Sequence, residues 1–153
     1  MNIAEVRDYI QESSLSSKVY IGADSVRFKS KGQWYAEYTV CCIIHIDGNH
    51  GCKIFGEMKV ERDYDSRQDR PATRLMNEVY YAAEVFEKLK DVLDDREVEI
   101  HLDLNPSAEH GSNCVIQQAI GYIKGVCGVT PMVKPEAPAA SFGADRLKEL
   151  IAC

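Results

Sequence analysis

Two hydrophobic periods alternate along the chain and divide it into elements. Ile3, Val6 and Ile10 keep the spacing of a short amphipathic helix. Over residues 18–24, Val19, Ile21 and Ala23 alternate with Tyr20, Gly22 and Asp24, which predicts a strand that ends in an acid. Residues 27–33 are polar and read as a turn, and residues 34–46 as a long β-rich strand. Asp47-Gly48-Asn49-His50-Gly51 carries residues that tolerate positive φ, a hairpin signal, and residues 52–60 complete a three-stranded antiparallel meander. Residues 61–70 are charged and irregular. Pro71 then suits a first helical turn, and Leu75, Val79, Ala82, Phe86, Leu89 and Leu93 keep helical spacing. Over residues 97–103, Val98, Ile100 and Leu102 alternate with Glu99, His101 and Asp103, a further strand that ends in an acid. Residues 105–111 read as a loop and Ser112 or Asn113 as a cap. Val115, Ile116, Ala119, Ile120 and Ile123 mark another helix, broken at residues 125–128. Residues 129–133 predict a short strand, and a last helix opens at Ser141 with Leu147, Leu150 and Ile151.

The order is β-β-β-α-β-α-β-α after a leading helix. It predicts an α/β fold: a mixed five-stranded sheet, three antiparallel strands followed by alternating helix and strand, flanked by helices. That order resembles the RNase H-like topology, although several α/β folds contain parts of it. Residues 1–153 read as a single domain, with residues 1–16 as N-terminal helix and lead-in. Hydrophobic residues at 45% and charged residues at 27% suit a soluble globular chain. No apolar run approaches the ~18 residues of a membrane span, and the acidic N-terminal stretch does not resemble a secretory signal. The six cysteines include no C-x-x-C pair, so we read reduced thiols in a cytoplasmic protein, with Cys41, Cys114 and Cys127 as small core residues. A formal charge of −6 and a pI near 5.2 argue against coating nucleic acid by bulk charge. They leave room for an enzyme that meets nucleic acid through metal ions and a local basic patch.

The acids carry the chemistry. Asp24 and Asp103 each close a strand in its polar phase, and parallel neighbouring strands bring such ends together. Glu78 sits early in the long helix beside apolar Val79, at the edge of its buried stripe, and Asp145 on the second turn of the last helix. Four carboxylates in one cleft are costly alone, since two charges ~4 Å apart repel by roughly 4 kcal/mol at an effective dielectric near 20. Divalent cations reverse that balance: two Mg²⁺ or Mn²⁺ ions take hard oxygen ligands and promote in-line hydrolysis of a phosphodiester.

Five blocks of sequence point the same way. They are Tyr20-Ile21-Gly22-Ala23-Asp24-Ser25, Arg74-Leu75-Met76-Asn77-Glu78-Val79, His101-Leu102-Asp103-Leu104-Asn105, Ser112-Asn113 with Gly121-Tyr122-Ile123-Lys124-Gly125, and the stretch from Lys134-Pro135-Glu136 to Ser141-Phe142-Gly143-Ala144-Asp145. Together they resemble the YkuK-type family of RNase H-like proteins from about residue 18 to 150. The resemblance implies an RNase H-like fold, a metal-dependent nuclease, and acids of the family pattern at Asp24, Glu78, Asp103 and Asp145. Ala23 departs from that pattern, where Thr or Cys is expected.

Around the acids, Ser25 and Asn105 can bond a phosphate or a water, or simply form turns. Lys134 can hold the scissile phosphate, and Glu136 rivals Asp145 as fourth ligand. His110, in the loop after Asp103, and His101, on the strand face of Asp103, are candidates for proton exchange. Arg27, Lys29 and Lys31 form one basic cluster and Arg62, Arg67, Arg70 and Arg74 another, where a phosphate backbone can dock; Trp34 and Tyr35 can stack on bases. The reading is a two-metal nuclease acting on RNA, DNA or their hybrid. The alternatives are a non-catalytic RNase H-like module that binds nucleic acid or protein, and a hydrolase of a small phosphorylated molecule.

Overall fold

The computed structural model describes residues 1–48, 50–65, 71–104 and 115–133. Helix α1 (Ile3–Glu12) starts where the Asn2 side chain accepts from the Glu5 backbone N–H at 3.2 Å. Strands β1 (Lys18–Ser30), β2 (Gln33–His45) and β3 (Cys52–Arg62) form an antiparallel meander, and β4 (Glu97–Leu102) pairs parallel with β1. The order across the sheet is β3-β2-β1-β4. Helix α2 (Ala72–Leu93) provides the crossover from β3 to β4, and α3 (Ile116–Cys127) follows β4. None of the described helices is long and apolar enough to cross a membrane.

Strand alternation gives the sheet two faces. Val19, Ile21 and Ala23 of β1, Val40, Cys42 and Ile44 of β2, and Ile100 and Leu102 of β4 pack with Val6 and Ile10 of α1, Leu75, Val79, Phe86 and Leu89 of α2, and Ile116, Ala119 and Ile123 of α3. Each fully buried aliphatic side chain in this layer contributes roughly 1.5–3 kcal/mol. The second face carries Tyr20, Gly22, Asp24, Thr39, Cys41, Glu99 and His101, the alternate residues of the same strands. Arg96, 7% exposed, ties helix ends together: its guanidinium donates to the Val92 and Leu93 carbonyls at the end of α2, and to the Gln11 and Ser13 carbonyls at the end of α1.

Three sequence expectations need correction. The sheet has four strands among the described residues, not five. Residues 129–133 supply a single bridge, Met132 to His101, in which Leu102 N donates to Met132 O and Met132 N to Ile100 O, both at 2.8 Å. Gly128 closes α3 at φ +71° just before, and Pro131 holds φ near −65°, away from strand values, so little extended backbone remains to pair. The helix also runs through Gly125, since one glycine costs a helix only ~1 kcal/mol. Finally, residues 27–30 are strand rather than turn. Val26 and Phe28 alternate with Arg27 and Lys29, and β1 reaches Ser30 before a two-residue turn at Lys31 and Gly32, φ +50° and +78°. Asp24 therefore lies in the middle of β1, not at its end.

The start of α2 is held from outside the helix. Pro71 occupies the cap position and offers no side-chain acceptor, whereas the Asp65 carboxylate accepts from the Thr73 and Arg74 backbone N–H groups, each at 3.0 Å. Asp65 is itself fixed, its N–H donating to Asp63 and its carbonyl accepting from Arg27, while the Arg27 guanidinium pairs with buried Asp63 at 2.7 Å. Asp65→Ala is expected to lower the unfolding free energy by about 0.5–2 kcal/mol. The check is a lower urea midpoint at unchanged slope.

Candidate functional site

The site grows from one register. β1 pairs with β4 as Gly22 to His101 and Ala23 to Leu102. Extending that parallel register by one residue sets Asp103 beside Asp24, in the same phase and on the second face. Pairing with β4 itself stops at Ala23, and β1 continues without β4 on that edge for seven more residues, to Ser30. Both carboxylates are half-buried. The Asp24 Oδ1 accepts from the Ser25 backbone N–H at 2.8 Å.

Glu78 approaches from the helix side. It is 4% exposed, more buried than a position at the edge of the helical stripe predicts. Ser25, on the helix face of β1, donates its hydroxyl to Glu78 Oε2 at 3.1 Å. Arg74, one helical turn before Glu78, donates to the Ser25 hydroxyl at 2.7 Å and to the Ser25 carbonyl at 3.3 Å. Burial is the first cause that holds the Glu78 carboxyl well above its ordinary pKa, and the negative charge of Asp24 is the next; Asp103 adds to it, while Arg74 and the Ser25 hydroxyl oppose it. The charges of Asp24 and Asp103 thus both act on Glu78.

The neighbourhood favours hard oxygen ligands. Cys41, on the second face opposite Gly22, is fully buried, and burial pushes its thiol up to about 12, with the Asp24 charge adding to the shift, so it offers no thiolate. Carboxylates alone remain as charged donors beside Asp24, a set suited to Mg²⁺ or Mn²⁺. Among the described residues no group of three or more His, Cys, Asp or Glu side chains is set closely enough to hold a metal ion. Asp145, Glu136, Asn105, Lys134 and His110 lie outside the described residues, as do Arg67, Arg70 and Cys114.

Other expected contacts have partners inside the protein. The hydroxyl of Ser25 is engaged by Glu78 and Arg74, and Arg74 is turned onto Ser25. Arg27 pairs with Asp63 and lies over the Trp34 ring at 4.2 Å. His101 is 2% exposed, its Nε2 lies 2.7 Å from Glu99 Oε2, and its ring meets Tyr20 edge-on at 5.3 Å. One neighbour escaped the sequence reading: Thr39, in register with Asp24, is fully buried, and its hydroxyl has no hydrogen-bond partner among the described residues. Only the β1–β2 register reveals it.

Comparison with known proteins gives one match. A family model described as Ribonuclease H-like covers residues 2–149. No curated protein and no solved structure matches the chain.

The raised Glu78 carboxyl has a sign that can be measured. Between its ordinary pKa and its higher folded one, the unfolded chain loses this proton while the folded chain keeps it, so its contribution to stability falls as pH rises through that window. Glu78→Gln keeps an acceptor for Ser25 and removes the titration. In chelator, the melting temperature of Glu78→Gln minus that of wild type is expected to grow as pH is raised from about 5 to 8. A pH-independent difference contradicts the assignment.

Proposed function

The chain belongs to the ribonuclease H-like family, and on that premise we propose that it is a metal-dependent nuclease hydrolysing nucleic-acid phosphodiester bonds. Asp24, Glu78 and Asp103 are not set closely enough to hold a cation by themselves; with Asp145 as the fourth ligand, and Glu136 as its rival, they would hold two Mg²⁺ or Mn²⁺ ions. When bound, such ions supply an acidified water and positive charge at the phosphoryl oxygens. What supports this reading is that the charges of Asp24 and Asp103, each one residue past the last positions paired between β1 and β4, both act on buried Glu78.

The chain's own residues then have separate tasks. Asp24, within β1, and Asp103, one residue past the end of β4, would present their oxygens from or beside rigid strands. Ser25 orients the Glu78 carboxylate through its hydroxyl, and Arg74 fixes Ser25 while balancing part of the negative charge. A buried carboxyl that resists ionisation becomes a good ligand once a cation stabilises its charged form. A second reading, a non-catalytic RNase H-like module that binds a protein, is favoured by the formal charge of −6, which disfavours holding a phosphate backbone by charge alone.

Metal binding separates the two. Millimolar Mn²⁺ is expected to raise the melting temperature by mass action, by an amount equivalent to ~2.7 kcal/mol at a hundredfold excess over Kd. Asp24→Asn and Asp103→Asn are expected to remove that rise and to lower cleavage of labelled single-strand, duplex and hybrid substrates by at least ~100-fold. An unchanged melting temperature in Mn²⁺ removes the metal site, and cleavage that survives in the double variant removes the assignment of these acids.

A further inference from the structure

Beyond the acids, β1 and β2 run on as a two-stranded hairpin, and no described element packs on its second face. Val26 is 49% exposed and Phe28 is 37% exposed. Phe28 is in register with Tyr35 of β2, and the two rings stack across the strands with centroids 5.7 Å apart and planes within 21°. The strip is in the same strand phase as Asp24, and Phe28 stands four residues further along β1, about 13 Å away. Trp34, in the opposite phase, is covered by Arg27. Large apolar side chains in the open, aligned with a site and leading away from it, need a reason.

From this strip we infer that Phe28 and Tyr35 form a stacking platform for the bases of a single-stranded nucleic acid, flanking the bond held at Asp24; the inference rests on nucleic acid being the substrate. Bases present flat faces to aromatic rings whatever their identity, and a sheet surface with exposed rings is a setting in which single strands are bound. Charge favours this occupant. Lys31 at the turn and Arg62, in register with Tyr35, form no ion pair among the described residues and bring positive charge to the turn end of the strip, whereas Lys29 lies on the opposite face over Trp34. Glu37, in register with Val26, is a carboxylate on the β2 side of the strip, so phosphates are better received toward the turn. A duplex keeps its bases stacked on one another and cannot use such a platform.

The test is fluorescence anisotropy of labelled oligothymidine and oligouridine in excess EDTA, which keeps cleavage out of the measurement. Phe28→Ala and Tyr35→Ala are each expected to weaken binding about tenfold or more, and Phe28→Trp to retain it, with a duplex of equal length bound more weakly than either strand. Tyr122→Ala, on the exposed side of α3, serves as the control and is expected to bind as wild type. Circular dichroism melts establish that the variants fold. The inference is overturned if wild type does not bind the single strands, if the alanine variants bind like wild type, or if duplex binds equally well. It is also overturned if light scattering shows the alanine variants dissociating a dimer while oligonucleotide affinity stays unchanged, which would make the strip an interface between copies. Mn²⁺ melts of the same proteins separate the two readings. No Mn²⁺ shift with Phe28-dependent binding ends the nuclease reading and leaves the platform; a shift without Phe28 dependence does the reverse.

Discussion

The parallel register of β1 and β4 ends at Ala23 and Leu102, one residue short of Asp24 and Asp103, and the negative charges of both these acids act on buried Glu78. Like charges ~4 Å apart in a protein cost roughly 4 kcal/mol at an effective dielectric near 20. The sheet absorbs such a cost: β1 is clamped by β2 along its full length and by β4 up to Ala23. Its helix face is sealed by Val19, Ile21 and Ala23 in the main core. A rigid frame of this kind can hold acids in place that would separate on a loop, and it leaves their charge to be relieved by a cation or by protonation.

Glu78 shows which of these applies without a cation. Its carboxyl is pressed toward the neutral form by burial first and by Asp24 next. The groups that soften this are few and specific: Ser25 from β1 and Arg74 from one turn earlier on α2. Both depend on where α2 begins, and that start is fixed by Asp65 with Asp63 and Arg27 behind it. At the other end, Arg96 joins the last carbonyls of α2 to those of α1 just before β4 opens. The helix that carries Glu78 is therefore tied at both ends by charged groups outside it, and the strand that leads to Asp103 starts from one of those ties.

Much of this was legible in the chain. The period-two runs around Ile21 and Ile100 and the stripe from Leu75 to Leu93 mark β1, β4 and α2 because burial on one face leaves a simple pattern. Asp24 and Asp103 were recognisable from the same runs, as polar-phase residues next to the last buried ones. The rest depended on partners distant in sequence. The hairpin beyond Asp24 was obscured by Arg27 and Lys29, charged residues in a segment whose alternate positions, Val26 and Phe28, already had strand spacing. Glu78, three residues after Leu75 and four before Ala82, shares the buried face of α2, and its charge set it apart from the apolar positions around it. The pairing at Met132 is one bridge, too short for any pattern to announce.

The unequal lengths of β1 and β4 connect these observations. Had β4 continued beside β1 past Ala23, the edge at Asp24 would be filled by main-chain pairing, and Glu78 would have a complete sheet between it and the acids of the second face. β4 instead stops at Leu102, and the Glu78 carboxyl responds to both aspartates. The same surplus of β1, paired only with β2, extends a two-stranded arm whose helix face is anchored by Arg27 on Trp34 and Asp63 while its other face stays open. One mismatch in strand length thus exposes the carboxylates at an edge and provides a surface in line with them, so the reach of any bound strand is set by the same backbone that sets the position of the acids.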